Sequence, residues 1–222
     1  MDKKQDEKQT NHQIKSKKRV ADHAEVFTHE REVNAMLDLV KHETERLDSR
    51  FLEPACGTGN FLVEVLNRKL KVLKQKYRKS QYDYDRYSVI AISSIYGIDL
   101  LQDNIEDCRK RLLGIFAQEY NSVFKKSANE RLLEVLEIIL EKNIVCGDAL
   151  TMKDVKGKPI VFSEWSMPFN DARLKQKEYS FKDISSPTIF WNYSASNDNG
   201  EKVILPNVLK DYSIINYMEL KR

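Results

Sequence analysis

The turn Gly57-Thr58-Gly59 constrains this chain more than any other segment, because of what stands on either side of it. Before it comes a short apolar run, Phe51-Leu52, and after it Phe61, Leu62, Val65, Leu66, Leu70 and Leu73 form one apolar stripe. An apolar run followed at once by a stripe of period 3.6 predicts a strand, a tight turn and a long helix. The alternation continues. Residues 84–93 read as helical before the strand IYGIDL at 95–100, and a helix carrying Ile105, Cys108, Leu112 and Ile115 follows. A helix around Leu132 to Leu140 then leads to the strand NIVCGDAL at 143–150, and KPIVF at 158–162 reads as the next strand. Strands alternating with helices predict an α/β fold with a doubly wound, mainly parallel sheet. An N-terminal helix precedes it: Val33, Met36, Leu37 and Val40 recur at i, i+3, i+4, i+7. Thr28 stands where an N-cap is expected, and Glu30 and Glu32 fall in the first turn, where carboxylates complement the helix dipole.

The flanks differ from this middle. Residues 1–19 hold one lone Ile14 and no apolar run, which excludes a secretory signal or a membrane anchor there and predicts a mobile charged tail. Its lysines are either simply solvated or available to phosphates. Residues 20–168 make the main domain, and beyond Pro168 the periodicity fades into polar clusters and three short apolar pieces. Residues 169–222 are therefore expected to be a C-terminal extension of short strands, or a lobe that leans on another surface. Lys and Arg number 37 against 34 Asp and Glu, a net charge of +3 that is too small for a histone-like binder and leaves nucleic acid open. Cys56, Cys108 and Cys146 lie far apart with no C-x-x-C pair, so neither a disulfide framework nor a metal site is expected. A cytoplasmic, reducing location is the simplest expectation.

Glycines at the carboxyl end of a first strand permit a tight turn and a close ligand approach, while the following helix start offers free N–H groups to a polar or anionic group. The place suits a nucleotide-like cofactor, although a G-x-G by itself is equally an ordinary strand-to-helix turn. Asp99 ends the second strand, where a carboxylate can accept from both hydroxyls of a ribose, and Asp148 follows the third, where it can pair with an adenine amino group. With Glu53 these acids are expected to meet in one crevice; any one of them alone is also a helix cap or a solvated loop acid.

The string FLEPACGTGNFL resembles the cofactor motif of the S-adenosylmethionine-dependent adenine-N6 DNA methyltransferases of restriction-modification systems. EVFT at 25–28 is similar to that family's upstream Phe/Tyr-Thr-Pro run, with His29 where proline is usual, and IYGIDL and VCGDAL match the second and third cofactor motifs in order. The resemblance covers about Val20 to Leu150. Gly57 and Asp99 are 42 positions apart, a separation that the extra helices of residues 67–93 account for. The resemblance implies a Rossmann-like methyltransferase fold with S-adenosylmethionine as cofactor. It implies Thr28 at the methionine carboxylate, Glu53 and the backbone of Ala55, Cys56, Gly57 and Gly59 around the methionine moiety, Asp99 at the ribose and Asp148 at the adenine. Phe61 and Leu100 either wall that pocket or belong to the core.

The sequence departs from the family at its chemistry. The Asn/Asp-Pro-Pro-Tyr/Phe motif, whose first side chain and proline carbonyl accept from a flipped-out adenine amine while the aromatic ring stacks on the base, occurs nowhere in the chain. The nearest approximation is Ser166-Met167-Pro168-Phe169, which makes Ser166, Pro168 and Phe169 the candidate catalytic residues; serine is a weaker acceptor than asparagine and also donates. Trp165 and Glu164 beside it suit either a base or the core and solvent. Only 54 residues follow Pro168, too few for the remaining strands and a target-recognition domain, so another protein subunit is expected to supply DNA target recognition or nuclease activity. Arg68, Lys69, Lys71, Lys74, Lys76, Arg78 and Lys79 place seven positive charges in twelve positions, which either grip DNA phosphates or form the solvent face of a long helix. Tyr77, Tyr82, Tyr84 and Tyr87 nearby either stack on bases or pack inward. Two functions remain open: a DNA adenine-N6 methyltransferase-like subunit of a restriction-modification or phage-defence system, or a catalytically inactive methyltransferase-like scaffold that keeps the cofactor pocket.

Overall fold

The computed structural model describes Arg19, residues 28–185 and residues 206–222. Most of the tail expected over residues 1–19 therefore lies outside the described residues, as do the apolar piece TIFWNY and most of KVILP. Arg19 itself is helical and its guanidinium meets the carboxylate of Asp103.

Helix α1 (Glu30–Asp38) begins one residue later than expected. Its N-cap is His29, whose Nδ1 accepts from the Arg31 N–H at 3.2 Å while Glu32 reaches back to the His29 N–H at 3.1 Å. This reciprocal box satisfies two donors that the helix cannot, and it releases the Thr28 side chain from the capping role expected of it. A single turn, α2 (Lys41–Thr44), leads to strand β1 (Phe51–Glu53). Helices α3 (Asn60–Tyr77) and α4 (Gln81–Ser93) precede β2 (Ile95–Asp99), and α5 (Gln102–Phe124) and α6 (Glu130–Asn143) precede β3 (Ile144–Asp148). Serine and asparagine start two of these helices, Ser80 accepting from the Asp83 N–H and Asn129 from the Arg131 N–H.

Strands β1, β2 and β3 pair in parallel in the order β1-β2-β3, and β4 (Lys153–Asp154) adds antiparallel to β3. Side-chain alternation divides the two faces. Phe51, Ile95 and Ile144 join the large core built with the helices, whereas Tyr96, Ile98 and Val145 meet Ile160, Phe162 and Phe181 on the other side. Those last three belong to or flank a second sheet of β5 (Val161–Ser166), β6 (Arg173–Ser180) and β7 (Val208–Asp211), all antiparallel, with β8 (Ile215–Asn216) on β6. A short helix, α7 (Phe181–Ser185), follows β6. Two right-handed crossovers that advance in one direction keep their helices on one face; a doubly wound sheet also needs the strand order to reverse. Among the described residues the parallel order runs one way, and an antiparallel sheet covers the face where a second layer of helices was expected. The architecture is mixed α/β with a parallel sheet.

The strand expected at 158–162 forms at Val161–Ser166 but belongs to the second sheet, and it runs against the direction of β3. It starts at the carboxyl end, where the Ile160 N–H donates to Met152, and finishes at the amino end, where Trp165 Nε1 donates to Asn143 at 2.9 Å. Asn143 in turn donates to the carbonyls of Ser93 and Ile95, so it fastens the amino ends of β2 and β3 to the tryptophan.

Candidate functional site

The site expected from the sequence lies at the carboxyl ends of β1, β2 and β3, and the glycine turn is its centre. Gly57 and Gly59 have φ of +52° and +88°, conformations that side chains resist. At Gly59 space is also missing, since a Cβ there would sit 2.6 Å from Cys108 Sγ. The turn is closed by the Gly59 N–H donating to Cys56 and is tied to β2 by the Cys56 N–H donating to Ile98, both at 2.8 Å. Helix α3 starts immediately after it, so its first N–H groups face the same opening.

Asp99 meets this turn directly. Its Oδ2 accepts from the Gly57 N–H at 2.9 Å, and its Oδ1 accepts from the Leu101 N–H at 2.9 Å and from the Asn104 amide at 3.1 Å. Glu53 reaches the Ala55 N–H at 3.4 Å, and burial raises its carboxyl above the usual range. Asp148 accepts from the Leu150 N–H and the Thr151 hydroxyl, which lower its pKa and hold it ionised. Thr28 is connected through its carbonyl, which accepts from the Asn60 amide at 3.4 Å. Thr28, Glu53, Ala55, Cys56, Gly57, Gly59 and Asp99 are thus brought to one place, with Asp148 two strands away on the same edge. Cys56 is buried, and its hydrogen bond with Cys108 together with burial pushes its thiol up, so its backbone and not its sulfur serves the turn. Leu100 stands exposed beside Asp99, while Phe61 is packed against the core.

One helix makes the turn rigid, and the residues involved were not picked out in the sequence. Asn104, Cys108 and Arg111 on α5 follow helical spacing i, i+4, i+7 and share one face. Asn104 holds Asp99, Cys108 fills the space under Gly59, and Arg111 Nη1 donates to the Thr58 carbonyl at 2.6 Å, the Thr58 hydroxyl at 3.0 Å and Asn60 Oδ1 at 2.9 Å. The spacing was legible, but the turn they face is about fifty positions upstream, and no local pattern announces it.

The catalytic expectation meets a different geometry. Ser166 and Met167 line a cavity of about 270 Å³ with Asp48, Arg50, Ser93 and Ser94, which precede β1 and β2 and so mark the amino end of the sheet. Phe169 lies beside them, its carbonyl accepting from Arg86 and its ring covered by the Arg173 guanidinium at 3.6 Å. Ser166, Pro168 and Phe169 are therefore at the end of the sheet opposite Asp99, because β5 runs antiparallel to the strands it covers. Trp165 is buried, and Glu164 pairs with Arg50 and accepts from the Tyr179 hydroxyl.

The basic stretch divides as well. Arg68 is bound by Glu64 and Asp38, Lys74 by Glu119 at 2.8 Å, and Lys69 is fully buried with its ammonium donating to the carbonyls of Arg46, Leu47 and Ser49. Lys71, Lys76, Arg78 and Lys79 have no ion pair among the described residues. Of the four tyrosines, Tyr84 is buried against Tyr120 and Phe124, Tyr77 and Tyr87 stack on each other at 4.0 Å, and only Tyr82 stands exposed. Among the described residues no group of three His, Cys, Asp or Glu could hold a metal ion, and no helix is long and apolar enough to cross a membrane.

Comparison with known proteins adds a family to this geometry. The family model described as "MmeI, DNA-methyltransferase domain" matches residues 27–160, more than half of the chain. The chain is 23% identical over 139 residues to DNA methyltransferase A of Bacillus subtilis, a match covering 59% of this chain and 16% of that protein. It is 29% identical over 104 residues to a putative type II restriction enzyme and methyltransferase of Methanocaldococcus jannaschii, covering 46% of this chain and 8% of that protein. The chain thus matches only a small part of the length of either relative. No solved structure matches.

Proposed function

The chain belongs to the MmeI DNA-methyltransferase domain family, and from that premise we propose that it binds S-adenosylmethionine at the carboxyl ends of β1 to β3 and serves methylation of adenine N6 in DNA. The observation that carries this reading is the bond from the Gly57 N–H to Asp99 Oδ2, which joins the glycine turn to the one carboxylate suited to a ribose. The residues present fit the group: the turn admits no side chain at Gly59, the helix start beyond it faces an anionic carboxylate, and Glu53, Asp99 and Asp148 offer acceptors along the strand ends. Bound there, S-adenosylmethionine supplies an electrophilic methyl group on a sulfonium. The chain's own residues bind and orient. Asp99 already receives three donors, so one ribose hydroxyl can bond directly and the second requires the Asn104 amide to yield. Asp148, kept ionised by Leu150 and Thr151, can accept from the adenine amino group of the cofactor.

Target reading and the groups that accept from the target amine come, in this proposal, from another protein subunit, since both relatives devote most of their length to regions that this chain does not match. Lys71, Lys76, Arg78 and Lys79 are candidates for the DNA phosphates. The test is transfer of a labelled methyl group to DNA by the purified chain, alone and mixed with the products of its neighbouring genes. The reading expects transfer in at least one mixture, localised to adenine N6. A second reading, that of an inactive cofactor-binding scaffold, is favoured by the position of Ser166 to Phe169 at the opposite end of the sheet. Cofactor binding without transfer in every mixture would decide for it.

A further inference from the structure

We propose that Arg111 gives this site its selectivity for a ligand bearing a carboxylate, acting at the methionine end of the pocket; this rests on the reading of the site as one for S-adenosylmethionine. The argument begins with how the arginine is spent. A single nitrogen, Nη1, serves three acceptors on the turn and on the first residue of α3, namely the Thr58 carbonyl, the Thr58 hydroxyl and Asn60 Oδ1. The Nε and Nη2 donors have no partner among the described residues, and Arg111 makes no ion pair among them while remaining exposed. The Asn60 amide that receives Arg111 through its oxygen donates through its nitrogen to the Thr28 carbonyl. Arg111, Asn60 and Thr28 therefore form one chain of bonds around the start of α3.

The placement is electrostatically unfavourable in the absence of an anion. A helix start carries partial positive charge and is stabilised by carboxylates, so a guanidinium fixed against the first residue of α3 brings like charge to like. An arginine serving only as a brace would gain from an acidic partner in reach, and none of the ion pairs among the described residues provides one. A carboxylate lying between the helix start and the free donors of Arg111 relieves both positive ends at once, in the short charge-assisted geometry that guanidinium favours. Asp99 and Asp148, in contrast, lie along the strand ends where the adenosine is expected, so the ligand's two halves meet opposite charge.

The experiment is calorimetric titration of the full chain with two ligands that differ at this end, S-adenosylmethionine and 5′-methylthioadenosine, which lacks the amino-acid carboxylate. Arg111→Ala is expected to weaken S-adenosylmethionine by about tenfold or more, the equivalent of one charge-assisted hydrogen bond, and 5′-methylthioadenosine by less than about twofold. Arg111→Lys keeps the charge without the fork and is expected to recover part of the loss. Asn60→Ala, which breaks the chain of bonds on the helix itself, is expected to show the same selectivity in weaker form. Equal weakening of both ligands by Arg111→Ala reduces the residue to a brace for the turn and overturns the proposal, as does S-adenosylmethionine binding that matches wild type. If wild type binds 5′-methylthioadenosine but not S-adenosylmethionine, the carboxylate role fails while an adenosine site stands; if it binds neither, the cofactor reading itself fails and takes this one with it.

Discussion

Replacing Gly59 by alanine probes the turn at the point where backbone and packing are both committed. The residue sits at φ +88°, where a side chain costs about 1–2 kcal/mol, and its new Cβ would lie 2.6 Å from Cys108 Sγ. Relieving such an overlap in a packed core costs a further 1–3 kcal/mol or so. Together Gly59→Ala is expected to destabilise by about 2–5 kcal/mol, a large share of the roughly 5–15 kcal/mol typical of a domain. The two contributions separate in a double-mutant cycle. Cys108→Ala removes the sulfur and leaves its Cβ 3.4 Å from the alanine position, an ordinary contact, so in that background the penalty should fall to the backbone part of about 1–2 kcal/mol. Urea unfolding followed by far-UV circular dichroism gives all four stabilities. An equal penalty in both backgrounds would refute the claim that α5 closes the space beneath the turn.

Further outcomes follow from other parts of the structure. Burial pulls the pKa of Lys69 down to about 7, so between there and its ordinary value near 10.5 the unfolded chain binds more protons than the folded one. Stability should accordingly rise with pH across that window by at most about 1.4 kcal/mol per pH unit, and Lys69→Met should flatten the profile; a flat wild-type profile would mean that the three carbonyls hold the ammonium charged. Tyr120→Phe removes a 2.6 Å bond to the buried Asp85 and leaves only the Asn129 amide on that carboxylate, an expected loss of about 1.5–3 kcal/mol in the same unfolding assay. Building a family-like motif by Ser166→Asn with Met167→Pro is expected to create no methyl transfer in any mixture, and a gain would contradict the placement of these residues at the amino end.

The parallel strands and the helices between them were legible because periodicity is a local signal, and so was the gathering of Glu53, Gly57 and Asp99, which follows once three parallel strands share a carboxyl end. Some misplacements were legible in hindsight. Lys69 reads as one of seven solvated charges, yet it falls between Leu62, Val65, Leu66, Leu70 and Leu73 on the apolar stripe of α3, which is why it is buried. Glu32 three residues after His29 signals the true cap, but histidine is not a customary cap residue and Thr28 stood beside it. The direction of β5 could not be read locally. Its composition is that of any strand, and only its pairing with β6 and its crossing of the parallel sheet carry Ser166 away from the crevice. Arg111 was equally hidden, since its partners are fixed by how α5 packs on the turn.

Binding of S-adenosylmethionine to the full chain tests the central claim most directly. Calorimetry should give one site per chain for wild type, a loss of at least about tenfold for Asp99→Ala through the ribose contacts and the freed Gly57 N–H, and normal affinity for Ser166→Ala at the opposite end of the sheet. No binding by wild type, or an Asp99→Ala variant that binds as tightly as wild type, would contradict a cofactor site at the carboxyl ends of the parallel strands.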